Sequence, residues 1–162
     1  MFLPLDLPPS VPPQPPAYML VQAAAETASV EDQLVARAKA DGWSDSQAGW
    51  IGKLGIAEKP DANASSKTDV DAAYSAGRQA LTAAYFDNAL ANGKSRLVAF
   101  LTVIDLEKQV MTRANLPPPD YSDEALQKAY DAVELANEKG LSSNEQIEAG
   151  FEVLRLLAAK PQ

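Results

Sequence analysis

The stretch NALANGKS ends in Gly93-Lys94-Ser95, the tail of a phosphate-binding loop. In such a loop backbone N–H groups cradle the phosphates while the lysine reaches the terminal ones. The pattern requires a glycine five residues before Gly93, and Asn88 stands there. It also requires a preceding strand, where the apolar spacing of this chain is helical. The three residues therefore read as a turn between helices, and no nucleotide site is expected.

A second candidate is DANASSKTDVDA, which sets Asp61, Asn63, Ser65 and Asp69 at alternating positions, as a calcium loop does. That loop needs glycine at its sixth position and a bidentate glutamate at its twelfth, and here Ser66 and Ala72 occupy them. The segment reads instead as a flexible linker leading to a helix cap at Thr68. Paired carboxylates at Glu31 and Asp32, at Asp69 and Asp71, and at Asp123 and Glu124 have the type for acid and base work. Neighbours on a helix point in different directions, however, and carboxylates in a first turn meet the helix dipole favourably. The chain has no cysteine and no histidine, so thiolate nucleophiles, disulfides and the commonest metal ligand and general base are all missing. No catalytic, cofactor-binding or metal-ligating residue is assigned, and the expectation is a non-enzymatic protein.

The most specific short motif is Pro-Pro-x-Tyr, present as Pro15-Pro16-Ala17-Tyr18 and Pro118-Pro119-Asp120-Tyr121. Such segments resemble ligands of WW domains, whose aromatic groove takes a preformed polyproline helix. Both copies also stand just before an expected helix, which gives them a structural use. Tyr121 precedes the cap Ser122, where it can staple onto Leu126.

The first copy closes the opening segment MFLPLDLPPSVPPQPPAY, in which seven of the first sixteen residues are proline. Proline excludes helix interiors and hinders sheet pairing, which leaves an extended arm rising about 3 Å per residue. The residues between are Phe2, Leu3, Leu5, Leu7 and Val11, with one side-chain charge at Asp6. An apolar, stiff ribbon loses little entropy on entering a groove. Phe2, Leu3, Leu5, Leu7, Pro8, Pro9, Val11, Pro12, Pro15, Pro16 and Tyr18 are accordingly the candidate partner-binding residues. The preferred reading docks them on a sister subunit or another component of an assembly, and the alternatives pack them over the chain's own helices or leave the arm disordered. Pro9 with Pro12 and Pro13 with Pro16 have Pro-x-x-Pro spacing but no flanking cation for SH3 recognition.

At 162 residues and 46% hydrophobic content the chain is expected to build one core-bearing all-α domain over 18–162, preceded by the arm at 1–17. Three times a helical pattern stops at glycine and restarts at serine: Gly42-Trp43-Ser44, Gly93-Lys94-Ser95 and Gly140-Leu141-Ser142. Glycine closes a helix in the left-handed conformation, and serine caps the next. Gln47 and Glu145 complete capping boxes with Ser44 and Ser142. The expected helices are 18–41, 44–54, 68–92, 95–114, 122–139 and 142–159, folded as a bundle of about three antiparallel hairpins at 18–55, 68–114 and 122–159. Ser29 with Asp32 offers a restart inside the first. Ala73, Gly77, Ala80 and Ala84 form a small-residue stripe that places the third helix centrally or against another subunit. LVAFLTVI at 97–104 reads as a buried helix. ALTAAYFDNALANGK and ALQKAYDAVELANEK agree at eight of fifteen positions, 45 residues apart, which fits either a duplication or the shared composition of helix ends.

The formal net charge is −8, with acid concentrated beyond residue 119. Such a surface repels phosphate backbones, so direct nucleic-acid binding is not expected. The one basic stretch, Lys94, Arg96, Lys108 and Arg113, reads as solvated helix ends. There is no Sec-type leader pattern and no apolar run long enough for a membrane helix. The expectation is a soluble protein, cytoplasmic or incorporated in a particle assembled there. Its role is that of a structural or adaptor subunit, of the kind found in shells, connectors and phage particles. Two alternatives stand beside it: a small acidic inhibitor that blocks a basic nucleic-acid-binding partner, and an adaptor bound by WW-type domains.

Overall fold

A computed structural model of the chain describes residues 28–159. They form six helices: α1 Val30–Ala40, α2 Asp45–Glu58, α3 Lys67–Ala91, α4 Arg96–Arg113, α5 Asp123–Glu138 and α6 Ser143–Ala159. No strand occurs among the described residues, and the protein is all-α. The arm at 1–17 and the expected helical start at Tyr18 lie outside them.

The helix ends follow the local chemistry. Gly42, Gly93 and Gly140 have φ of 107°, 83° and 75°, and after each the next N–H returns to a carbonyl of the preceding turn. Trp43 N donates to Ala38 O, Lys94 N to Ala89 O and Leu141 N to Ala136 O, each at 3.0 Å. Asn115, at φ 61°, closes α4 in the same way, with Leu116 N donating to Met111 O at 2.9 Å. Both capping boxes form, at Ser44 with Gln47 and at Ser142 with Glu145. Ser29 Oγ accepts from Asp32 N at 3.0 Å, so a helix does start where the sequence offers a restart.

The cap of α3 differs from expectation. Ser66 Oγ, not Thr68, accepts the first-turn N–H, from Asp69 at 3.2 Å. The helix starts earlier because Asp69 is bound twice over, its carboxylate also accepting from Asn63 N at 2.9 Å. Asn63 Oδ1 takes the Ser65 N–H at 2.8 Å, and Gln33 Nε2 donates to Ala64 O at 3.1 Å. The connection read as a flexible linker is thus hydrogen-bonded to itself and to α1, and α2 runs on past Leu54 to Glu58.

Two apolar cores share α3. Val30, Leu34, Ala38, Ala48, Ile51, Ala73, Tyr74 and Leu81 form the first, from α1, α2 and the first half of α3. Phe86, Ala89, Phe100, Val103, Ile104, Ala129, Val133, Ile147 and Leu154 belong to the second, from the end of α3 and α4 to α6. The small-residue stripe explains half of this. A Cβ on Gly77 would stand 2.4 Å from Ile51 O, and one on Gly55 would stand 2.7 Å from Ala73 O, so α2 and α3 approach backbone to backbone. Ala84, the last member of the stripe, is exposed.

Three other expectations change. LVAFLTVI is half-buried: Ala99, Phe100, Val103 and Ile104 face the core while Leu97, Val98 and Leu101 face out. Arg96 is a half-buried tie rather than a solvated end, whereas Arg113 is exposed, as expected, and is hydrogen-bonded as well. Arg96 donates to Gln146 at 2.9 Å, and Arg113 to Gly42 O at 3.2 Å and to Gln47 at 3.3 Å. The two segments that match 45 residues apart turn different faces to the core, since Ala84 is exposed where Ala129 is buried, and Phe86 is buried where Asp131 is exposed. That rotation favours shared helix-end composition over duplication.

Candidate functional site

A cleft of about 840 Å³ opens between the two cores, walled by α1, α3, α4 and α6. Its apolar surface comes from Val110, Met111, Trp43 and Phe151, over the buried Val103 and Leu106. Its rim is charged, and most of those charges are already committed. Arg37 pairs with Asp71 at 2.6 Å, and Lys67 reaches the same carboxylate at 2.7 Å. These hydrogen bonds, Lys67 first and then Arg37, hold Asp71 below the usual carboxylate range. Arg155 pairs with Glu152 at 2.8 Å and Glu148 at 3.4 Å.

Tyr74 anchors the cleft wall from inside. Its hydroxyl donates to Asp41 at 2.6 Å, while Arg37 and Arg78 lie 4.3 and 5.1 Å from its ring centroid. Burial, reinforced by the Asp41 carboxylate, pushes the phenol above its ordinary value. Arg78 differs from the other rim cations: among the described residues its guanidinium has no carboxylate partner.

On the opposite wall Glu107 accepts from Tyr121 at 3.1 Å. Burial pushes Glu107 above the usual glutamate value, and burial with the Glu107 charge pushes Tyr121 up to about 12. The second Pro-Pro-x-Tyr copy is therefore built into the fold, its tyrosine spent on tying the α4–α5 connection to α4. Elsewhere, Tyr130 donates to Glu134 and is pushed up to about 12, by burial first.

The sequence motifs do not converge on this cleft. Gly93-Lys94-Ser95 is an exposed turn. The Asp69 and Asp71 carboxylates hold the linker and α1, and Asp123 and Glu124 occupy the exposed first turn of α5. No group of three or more acidic, histidine or cysteine residues among the described residues is placed to hold a metal ion. Phe2, Leu3, Leu5, Leu7, Pro8, Pro9, Val11, Pro12, Pro15, Pro16 and Tyr18 lie outside the described residues. The cleft itself has no linear signature, because four helices separated by up to about a hundred residues supply its walls. Chemically it offers aromatic and apolar surface beside the Arg78 guanidinium, which lies over the Tyr74 ring and has no carboxylate partner among the described residues.

No described helix is long and apolar enough to cross a membrane. No protein-family model, curated protein or solved structure matches the chain.

Proposed function

We propose that the protein is a non-enzymatic structural or adaptor subunit of a larger assembly, such as a virus or phage particle, and that it docks through its proline-rich N-terminal arm. The observation that carries the reading is the arm itself, with seven prolines in sixteen residues interleaved with Phe2, Leu3, Leu5, Leu7 and Val11. It precedes an all-α body of six described helices. Prolines keep such a segment extended at low entropic cost, and its apolar residues gain by leaving water.

The test is native mass by light scattering at several concentrations, on the full chain, on a variant with Leu3→Asp, Leu5→Asp and Leu7→Asp, and on a chain lacking residues 1 to 16. The expected result is an oligomer that dissociates in both altered forms while far-UV circular dichroism keeps its helical signal. Equally folded monomers in all three overturn self-assembly through the arm.

A second reading has one observation in its favour: Asp123, Asp131 and Glu138 are exposed along α5, a carboxylate face suited to blocking a basic channel. Replacing Asp123, Asp131, Glu134 and Glu138 with their amides separates the readings. An inhibitor loses salt-sensitive binding to a basic partner, and an assembly subunit loses little.

A further inference from the structure

We infer that the cleft between α1, α3, α4 and α6 is the receptor for the arm of a second copy of this chain; the inference rests on the reading that the arm is an assembly element. Three features of the molecule match. The cleft presents Trp43 and Phe151 beside Tyr74, and aromatic surfaces are what proline-rich extended segments dock against. Prolines lack an N–H, so seven of the first sixteen residues bring no backbone donor that apolar walls would leave unsatisfied. The arm carries one charged side chain, Asp6, and the cleft rim carries one guanidinium without a carboxylate partner among the described residues, Arg78.

Asp6 opposite Arg78 sets the register. The leucines on either side of Asp6, Leu5 and Leu7, then meet the apolar floor by Val110 and Met111. Every copy carries both an arm and a cleft, so the contact closes as a two-fold dimer when two copies exchange arms and as a ring or filament when each arm reaches the next copy in turn.

The chain has no cysteine, so introduced thiols report without background. Leu5→Cys in one full-length chain is mixed with Gln79→Cys in another, Gln79 being an exposed residue of the cleft rim, and a short bifunctional maleimide is added. The control pairs Leu5→Cys with Gln127→Cys, on α5, which contributes nothing to the cleft. The expected result is a mixed cross-linked dimer in several-fold excess over the control. Arg78→Glu in the Gln79→Cys chain should lower that yield several-fold, and Asp6→Arg in the partner should restore it.

A yield no greater than the control overturns the inference, as does cross-linking confined to one chain when Leu5→Cys and Gln79→Cys share a molecule. Native mass of the same samples keeps the two readings apart. An oligomer without the cleft cross-link leaves assembly standing and removes the cleft. A monomer without it removes both.

Discussion

Eight glycines serve this chain, and their surroundings give opposite expectations for the same substitution. Gly49 lies within α2 with nothing within 4 Å of where a Cβ would be, whereas a Cβ on Gly77 would meet Ile51 O at 2.4 Å. Alanine is favoured over glycine inside a helix by about 1 kcal/mol. Gly49→Ala should therefore stabilise by about that amount, and Gly77→Ala should destabilise by about 1–3 kcal/mol as α2 and α3 are forced apart. Urea midpoints at unchanged slope check both, and equal shifts would refute the close approach. The role of Gly77 was legible because glycine among alanines at helical spacing has few other uses. Which residues of the stripe face α2 was not, since Ala80 and Ala84 satisfy the same spacing and only the crossing of the helices distinguishes them. The carboxylate of Glu107 was equally invisible: nothing in DLEKQV marks it as half-buried and bonded to Tyr121. Its raised pKa means that the folded state binds the proton more tightly than the unfolded one. Glu107 thus opposes folding at neutral pH and ceases to do so as the pH falls through its folded value toward the ordinary 4.5. Glu107→Gln keeps an acceptor for Tyr121 and removes the charge. It should raise stability at neutral pH and lose that advantage in acid, as measured by urea midpoints across the range.

At the scale of elements, helix ends were the best-read feature, because capping depends on residues within one turn of each other. Serine after glycine located α2, α4 and α6, and Ser29 located the start of α1. The start of α3 was misplaced at Thr68 because Ser65, Ser66 and Thr68 are all competent caps. The choice fell to Asp69, whose N–H goes to Ser66 and whose carboxylate goes to Asn63 N, an arrangement that also lets Ala64 O accept from Gln33 on α1. Ser66→Ala should accordingly cost about 1 kcal/mol, as cap deletions do, while Thr68→Ala, exposed in the first turn, should cost little. Thermal melts of the two variants decide it, and the reverse order would return the cap to Thr68. The outward half of LVAFLTVI escaped the reading for a related reason. An apolar run without polar interruptions conceals which side a helix turns to its neighbours, and Leu97, Val98 and Leu101 are exposed although their composition is that of a core.

At the scale of the molecule, the sharing of α3 by two cores decides how the protein unfolds. At 25 residues this helix is about 37 Å long, with Tyr74 and Leu81 in one core and Phe86 and Ala89 in the other. Losing either core would strip one end of α3, and a helix held mainly by tertiary packing does not survive half-packed. The α1–α2 turn adds a second tie, since Gly42 sits against Val110 of α4 and Ala114 at its C-cap, and its carbonyl accepts from Arg113. Both tryptophans, Trp43 and Trp50, belong to the first core's side of the chain, so their fluorescence follows that half while far-UV circular dichroism follows every helix. Phe100 is fully buried in the second core, and Phe100→Ala should cost about 3–5 kcal/mol. If the cores unfold as one, tryptophan fluorescence and circular dichroism of the Phe100→Ala variant shift together to the same lower urea midpoint, although neither tryptophan belongs to the second core. Separate cores would leave the fluorescence midpoint where it stands in the parent and split the circular dichroism transition in two. The shared helix and the Arg113 tie require the first outcome, because each half reaches the other through residues that cannot keep their place alone.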